Sequence, residues 1–314
     1  MTEDEAKETV MSHAVSVGYQ SNGLAVGEET TQGDAVAATN KFEITSETFD
    51  EEREVVVADG LSGARSQAAN NEVEGKRDPK GGFTIRGVRY ASLLYWMEFV
   101  LGNYASGSAW LSAGLSSLTL YIDKVTEVLR IAGAAVNEMT LESSADEQAL
   151  RFALEMLGMS ATTSAITFPS GLSYPSGIPL VHRRCTLKIG DESTYIQSVR
   201  WRIANNLDPD GFRNSQTRIT LEPQGNREVG GELRIDWNST YASRVWDLWR
   251  NHNHGTLQTD WTHGTNTVRP LPPCTFFRAK YPGMADRNTV LEDIPFECKS
   301  SAAGVDDEVQ VIFI

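Results

Sequence analysis

Residues 81–102 read GGFTIRGVRYASLLYWMEFVLG, and residues 230–255 read GGELRIDWNSTYASRVWDLWRNHNHG. Each opens on a glycine pair, runs through a short mixed stretch and reaches Tyr-Ala-Ser at the head of an apolar segment. Gly81 and Gly82 match Gly230 and Gly231 at an offset of 149; Tyr90 and Ser92 match Tyr241 and Ser243 at 151. Upstream, Arg65-Ser66-Gln67 parallels Arg213–Gln216 with the glutamines again 149 apart, and Val57–Leu61 parallels Ile203–Leu207 at 146. Pairs that keep one order within so narrow a band of offsets point to an internal duplication. The tripeptide alone would not, because it recurs at Tyr104-Ala105-Ser106 with no such segment after it.

In the first copy Leu93, Leu94, Tyr95, Trp96, Phe99 and Val100 lead to Gly102; in the second Val245, Trp246, Leu248 and Trp249 lead to Gly255. The spacing predicts one amphipathic helix of about three turns per copy, stopped by glycine. Ser92 or Ser243 suits the N-cap, where a hydroxyl satisfies a free amide. Trp96, Trp246 and Trp249 would face a sheet. Trp110, Trp201, Trp237 and Trp261 have no such place, and subunit contacts, which favour aromatics, could take some of them.

Around each helix the pattern reads as strands. One runs up to a Gly-Gly turn, and another returns as Phe83–Arg89 or Glu232–Asn238. Later strands are expected at Leu115–Val125, Glu127–Val136 and Met139–Glu142, and at Thr275–Lys280, Asn288–Glu297 and Glu308–Ile314. Alternation over such lengths suits half-buried antiparallel strands. Residues 146–157 have helical composition but stand where the second copy shows only strand signals; a strand is the preferred reading. Residues 161–180, with Pro169, Pro175 and Pro179, resemble a linker. The expected layout is therefore an arm at 1–40, one domain at 41–160, a linker at 161–180 and a second domain at 181–314. The arm is poor in large apolar groups and should order only against a neighbouring subunit.

The 314 residues carry a net charge of −14, with 40% hydrophobic and 22% charged residues, a globular composition. No apolar run approaches the ~20 residues of a membrane-spanning helix, and the acidic start lacks the basic-then-apolar order of a secretory signal. The charge is lopsided: −6 over residues 1–40, −7 over 41–160 and −1 over 161–314. Binding to nucleic acid draws its affinity from basic patches. The longest basic clusters here are pairs such as Arg183-Arg184, so gripping DNA or RNA is not expected. Cys185, Cys274 and Cys298 are odd in number and widely spaced, which suggests neither a disulfide framework nor a zinc clip.

Few groups suggest chemistry. His252-Asn253-His254, with Asp260 and His263 nearby, resembles a metal motif but has no third ligand at diagnostic spacing; helix-end surface residues are the simpler reading. The glycine-rich stretches lack the form of a phosphate loop, and no nucleophile–base arrangement emerges. No enzyme activity, metal or cofactor is expected.

The order of strand, polar loop, Gly-Gly, strand, Tyr-Ala-Ser helix and further strands resembles the tail tube proteins of long, non-contractile tailed bacteriophages. The second copy is the closest part, from Val199–Leu207 through Gly225–Gly231 to the helix, and the likeness covers about residues 41–314. The resemblance implies a mainly β fold: two tandem β-sandwich domains, each flanked by one helix, whose strands join neighbours into a barrel around a lumen. It implies self-association into stacked rings, trimeric and pseudo-hexameric for a duplicated chain. Tape measure, terminator and baseplate proteins would be partners. DNA would pass through without specific binding, in a virion tail built in the host cytoplasm. It also implies that residues 53–89 and 200–236 line the lumen, and that segment 60–80 is a stacking loop with a shorter counterpart at 207–216. The competing reading is a two-domain β-sandwich module binding carbohydrate or protein, which should stay monomeric.

Overall fold

A computed structural model describes residues 23–57, 72–105, 108–111, 115–190, 192–236, 239–278, 291–302 and 307–314. The first half holds β1 (Leu24–Glu28), β2 (Asn40–Phe42), β3 (Ser46–Glu47), β4 (Asp50–Val57), β5 (Glu72–Arg86), helix α1 (Tyr90–Leu101), β6 (Gly102–Ala105), β7 (Ser108–Leu111), β8 (Leu118–Asp123), β9 (Val128–Ser144), β10 (Arg151–Leu157) and β11 (Ser160–Thr162). The second holds β12 (Cys185–Ile189), β13 (Glu192–Thr194), β14 (Ile196–Ala204), β15 (Glu228–Asp236), helix α2 (Ser239–Arg250), β16 (Leu257–His263), β17 (Asn266–Leu271), β18 (Cys274–Phe277), β19 (Leu291–Lys299) and β20 (Gln310–Phe313). The chain is mainly β, in sandwich-like layers, as expected.

The larger sheet runs β18-β19-β15-β14-β9-β10-β5-β3, with β4 continuing β3 along β5. Its strands alternate, one face buried and one open. In β10, Phe152, Leu154 and Met156 are buried while Glu155 between them is exposed. That period of two is why 151–157 is a strand despite its helical composition. The first half of β9 bends away with β8, β1, β2 and β11 as a side layer. A seven-stranded sheet, β13-β12-β16-β17-β20-β7-β6, forms the other layer and draws strands from both halves.

Between them lies α1, which is apolar on nearly every side. Trp96 is fully buried, its ring 5.0 Å from Phe42 of β2 and 4.8 Å from Phe83 of β5. Tyr90 meets Phe313 of β20 edge-on. Burying a side chain of this size contributes about 2–3 kcal/mol. In contrast, α2 is amphipathic: Val245 is buried and Trp249 is exposed.

Two expectations change here. The supposed arm is not free over its described part, 23–40. Leu24, Ala25 and Val26 are fully buried, and β1 pairs with β8 over five residues of its own chain. Small apolar residues can form a buried strand when neighbours cover both faces, so their low bulk misled the reading. The stacking-loop segment also divides. Residues 58–71 lie outside the described residues, whereas 72–80 belong to β5. Its counterpart is the longer of the two, since the connection from β14 to β15 spans 205–227.

Candidate assembly interface

The glycine pairs are not turns. Gly81 and Gly82 lie inside β5, and Gly230 and Gly231 inside β15. A Cβ on Gly82 would stand 2.3 Å from the Leu154 carbonyl oxygen. One on Gly231 would stand 1.9 Å from the Arg200 carbonyl oxygen and 2.8 Å from the Phe296 ring. Glycine within a strand marks such close backbone approach.

The faces correct the offset as well. Phe83 and Ile85 point into the core from β5, Leu233 and Ile235 from β15. An offset of 149 is odd and would set inward residues against outward ones. Matching by face pairs Gly81 with Gly231. Their ladder partners then correspond too: Met156 stands against Gly81, Phe296 against Gly231. On the other side, Phe49 packs against Gly81 and Trp201 pairs with Gly231.

On this matching the larger sheet contains one strand order twice, β9-β10-β5-β4 and β18-β19-β15-β14. In each, the strand before the helix leads into it directly, and a hairpin follows: β6–β7 after α1, β16–β17 after α2. The two sets join where β14 pairs with β9, Ser198–Ala204 against Ser144–Glu138. Among the described residues the sheet ends at β3/β4 on one side and β18 on the other. Both ends are guarded. Lys124 Nζ donates to both Glu47 carboxylate oxygens at 2.8 Å and to the Phe49 carbonyl at 2.6 Å, and Glu47 accepts from the Phe49 amide at 2.9 Å. Charged side chains so placed blunt an edge strand. At the other end Gly255 bridges Thr275.

The junction between the halves has three supports. Arg202 of β14 donates to Glu138 of β9 at 2.7 Å and to Glu228 of β15 at 3.2 Å. His182 is buried between Ser143 of β9, with Nδ1 2.8 Å from the hydroxyl, and the Ile196 carbonyl of β14, 3.1 Å from Nε2. Burial pushes its pKa below the ordinary 6.5, against the raising effect of the Ile196 carbonyl. Third, Arg218 of the 205–227 connection reaches the far side of the first half. It donates to the Pro79 carbonyl at 3.2 Å and the Gly158 carbonyl at 2.8 Å, pairs with Asp78 and lies 4.8 Å over the Phe212 ring.

The His182 shift carries a sign. A depressed folded-state pKa means that the unfolded chain takes up the proton first. Stability is therefore full above about 6.5 and falls as the pH drops through that value toward the folded one. Thermal melts across that window should show the fall. His182→Gln should flatten it, and an equally steep fall in the variant would remove His182 as its source.

The remaining sequence-predicted residues divide. Gly102 does stop α1, in the left-handed conformation with its amide donating to Glu98. Ser92 is buried inside α1 and Ser243 lies within α2, so neither is an N-cap. His252, at φ +52°, turns the chain after α2 in place of Gly255. The helices begin earlier than a serine cap would place them, at Tyr90 and at Ser239, and only the stop of α2 differs from the glycine expected. His252 and His254 are exposed at the helix end, and Asp260 is held away from them by Arg269 at 2.7 Å through both carboxylate oxygens. No cluster of metal-ligating groups occurs among the described residues. Trp246 stacks on Trp249, with centroids 4.8 Å apart. Trp201 and Trp261 are core residues rather than contact residues; the side chains of Trp110 and Trp237, with those of Tyr241 and Ser243, lie outside the described ones. Burial raises the thiol pKa of Cys298 to about 12 and that of Cys185 further. Arg218 escaped the sequence reading: an isolated arginine in a polar loop carries no local sign of burial.

No helix among the described residues is long and apolar enough to cross a membrane. No curated protein matches the chain. Residues 20–298, which span both strand sets and their junction, match the pattern of a family described as phage tail tube protein. The chain belongs to the phage tail tube protein family and is a structural component of the virion tail.

Proposed function

We propose that the chain is a tandem tube subunit, with repeats at 41–160 and 181–314, that closes into trimeric, pseudo-hexameric rings. The observation that carries this is the repeated strand order. One junction between repeats, β14 on β9, is made inside the chain. The sheet ends at β3/β4 and at β18 are the matching halves of a second junction, which another copy would complete. A head-to-tail contact repeated with a closing rotation gives a ring, and closure leaves no edge strand exposed. The Lys124–Glu47 clip would have to swing away as the new strand pairs with Phe49.

Stacked rings would enclose a lumen. The open face of the larger sheet suits that role, because several of its cations are matched by acids. Lys80 pairs with Glu52 at 2.7 Å, Arg202 with Glu138 at 2.7 Å and Arg234 with Asp293 at 3.6 Å. Matched bases leave little for DNA phosphates to hold, so DNA would slide past during ejection. Tape measure, terminator and baseplate proteins would set the length and ends of the tube, with assembly in the host cytoplasm.

Negative-stain electron microscopy of the purified chain tests the proposal. Rings with a central hole and threefold symmetry are expected, and Lys124→Ala should form them faster by uncovering the Phe49 edge. Monodisperse monomers at high concentration in both proteins would count against rings and favour the binding-module reading.

A further inference from the structure

Among the described residues, the docking of the 205–227 connection onto the first half has an open counterpart in the second. Arg218 is received by the Pro79 and Gly158 carbonyls and by Asp78. These lie midway along β5, where the β10 ladder ends, and just past the end of β10, and Gly158 donates to Pro79 across them. Matching β5 to β15 and β10 to β19 by face makes Val229, Cys298 and Glu228 their equivalents, with Val229 paired to Cys298. There the space is open. A cavity of about 1210 Å³ is lined by these residues together with Arg278, Lys299 and Glu308. One carboxylate oxygen of Glu308 is buried with no hydrogen-bond partner among the described residues.

The first half has a segment of the matching kind. The 205–227 connection joins β14 to β15; its counterpart is the hairpin of β4 and β5. Over Glu72–Pro79, β5 pairs only with β4, because the β10 ladder stops at Lys80. One edge of this ribbon is held by the chain's own 205–227 connection, where the Arg77 amide donates to the Gln216 carbonyl at 2.7 Å and Gln216 Nε2 to the Glu74 carbonyl at 3.2 Å; its valines are left uncovered. Val56 and Val73, opposite each other on it, are 48% and 60% exposed. Within the chain, the connection rises from the β14 end and crosses β9 and β10 to reach β5. A ribbon rising from β4 beside another copy's β18 would cross β18 and β19 to reach β15, where the cavity lies. Charge agrees. β4 carries four acids and one base, whereas the cavity wall has five bases and four acids in a chain of net charge −14.

We infer that the β4–β5 ribbon of one copy docks into the Glu228–Val229–Cys298 cavity of the next. The inference rests on the ring reading above, and it makes each subunit contact a strand junction plus a ribbon-in-cradle anchor. The ribbon then belongs to the contact within a ring, in addition to any role in stacking.

Cross-linking the full chain tests this. Val56→Cys chains mixed with Ser300→Cys chains and treated with a short bis-maleimide should give a covalent dimer, well above the background from the parent's own cysteines. Neither variant alone should give it. Ser300→Trp, which fills the cavity mouth, should weaken association about tenfold while the monomer melts as the parent does. Rings that form without the mixed cross-link and tolerate Ser300→Trp would overturn the docking and leave the ring reading standing. A chain that never self-associates would overturn both.

Discussion

Arg218→Ala should lower the unfolding free energy by about 3 kcal/mol, at the lower end of the range for leaving a buried charge uncompensated. The arginine is fully buried, while Asp78 keeps a quarter of its side chain exposed, which softens the loss. The substitution also leaves the Pro79 and Gly158 carbonyls without their donor and removes the stack on Phe212. For a domain of this size the shift corresponds to a drop of about 6–12 °C in Tm. Arg218→Lys should recover little, since an ammonium cannot span three acceptors held by a planar fork. Denaturant melts would decide it. A loss below about 1 kcal/mol, typical of one ordinary hydrogen bond, would mean that the 205–227 connection does not anchor the two halves.

Gly231→Val is expected to be the most damaging single change in the larger sheet. The new Cβ would lie 1.9 Å from the Arg200 carbonyl oxygen and 2.8 Å from the Phe296 ring. Neither neighbour is a flexible tip: one is backbone of β14, the other a core ring. β14 and β19 would have to move apart from β15, loosening two ladders at once. A cost of about 3 kcal/mol or more follows from overpacking at a site that cannot give. Gly225→Ala makes the control. Its nearest atom beyond the local chain is the Asn206 Cβ at 3.8 Å, so its effect should stay within about 0.5 kcal/mol. Equal melting of the two variants would contradict the close approach of β14 to β15.

Much of the fold was legible. The alternation that marks strands survives in short windows, so Leu115–Val125, Glu308–Ile314 and the described part of Thr275–Lys280 fall on β8, β20 and β18; residues 279–280 lie outside the described ones. Glu127–Val136 and Met139–Glu142 proved to be one strand, β9, interrupted by an irregularity near Glu155–Met156 on its partner. The helices were legible because their apolar residues recur at helical spacing. The hairpins β6–β7 and β16–β17 escaped notice. They are short, and their second layer exists only because β20 inserts between them. The assembly interface was least visible. Its edges are defined by which strands lack neighbours, and its anchor, Arg218, is polar in sequence but buried by elements up to 140 residues away.

The sequence by itself determined the duplication signal, the β class, the two helices and the family, because repeats and periodicity are carried by neighbouring residues. Tertiary structure alone decided which residues of each strand face the core, the sharing of one sheet by both halves, the unequal burial of α1 and α2, and the burial of Arg218 and His182. Those depend on which strand lies beside which. A strand has period two, so a single residue's slip reverses its faces, and only long-range pairing chooses between them.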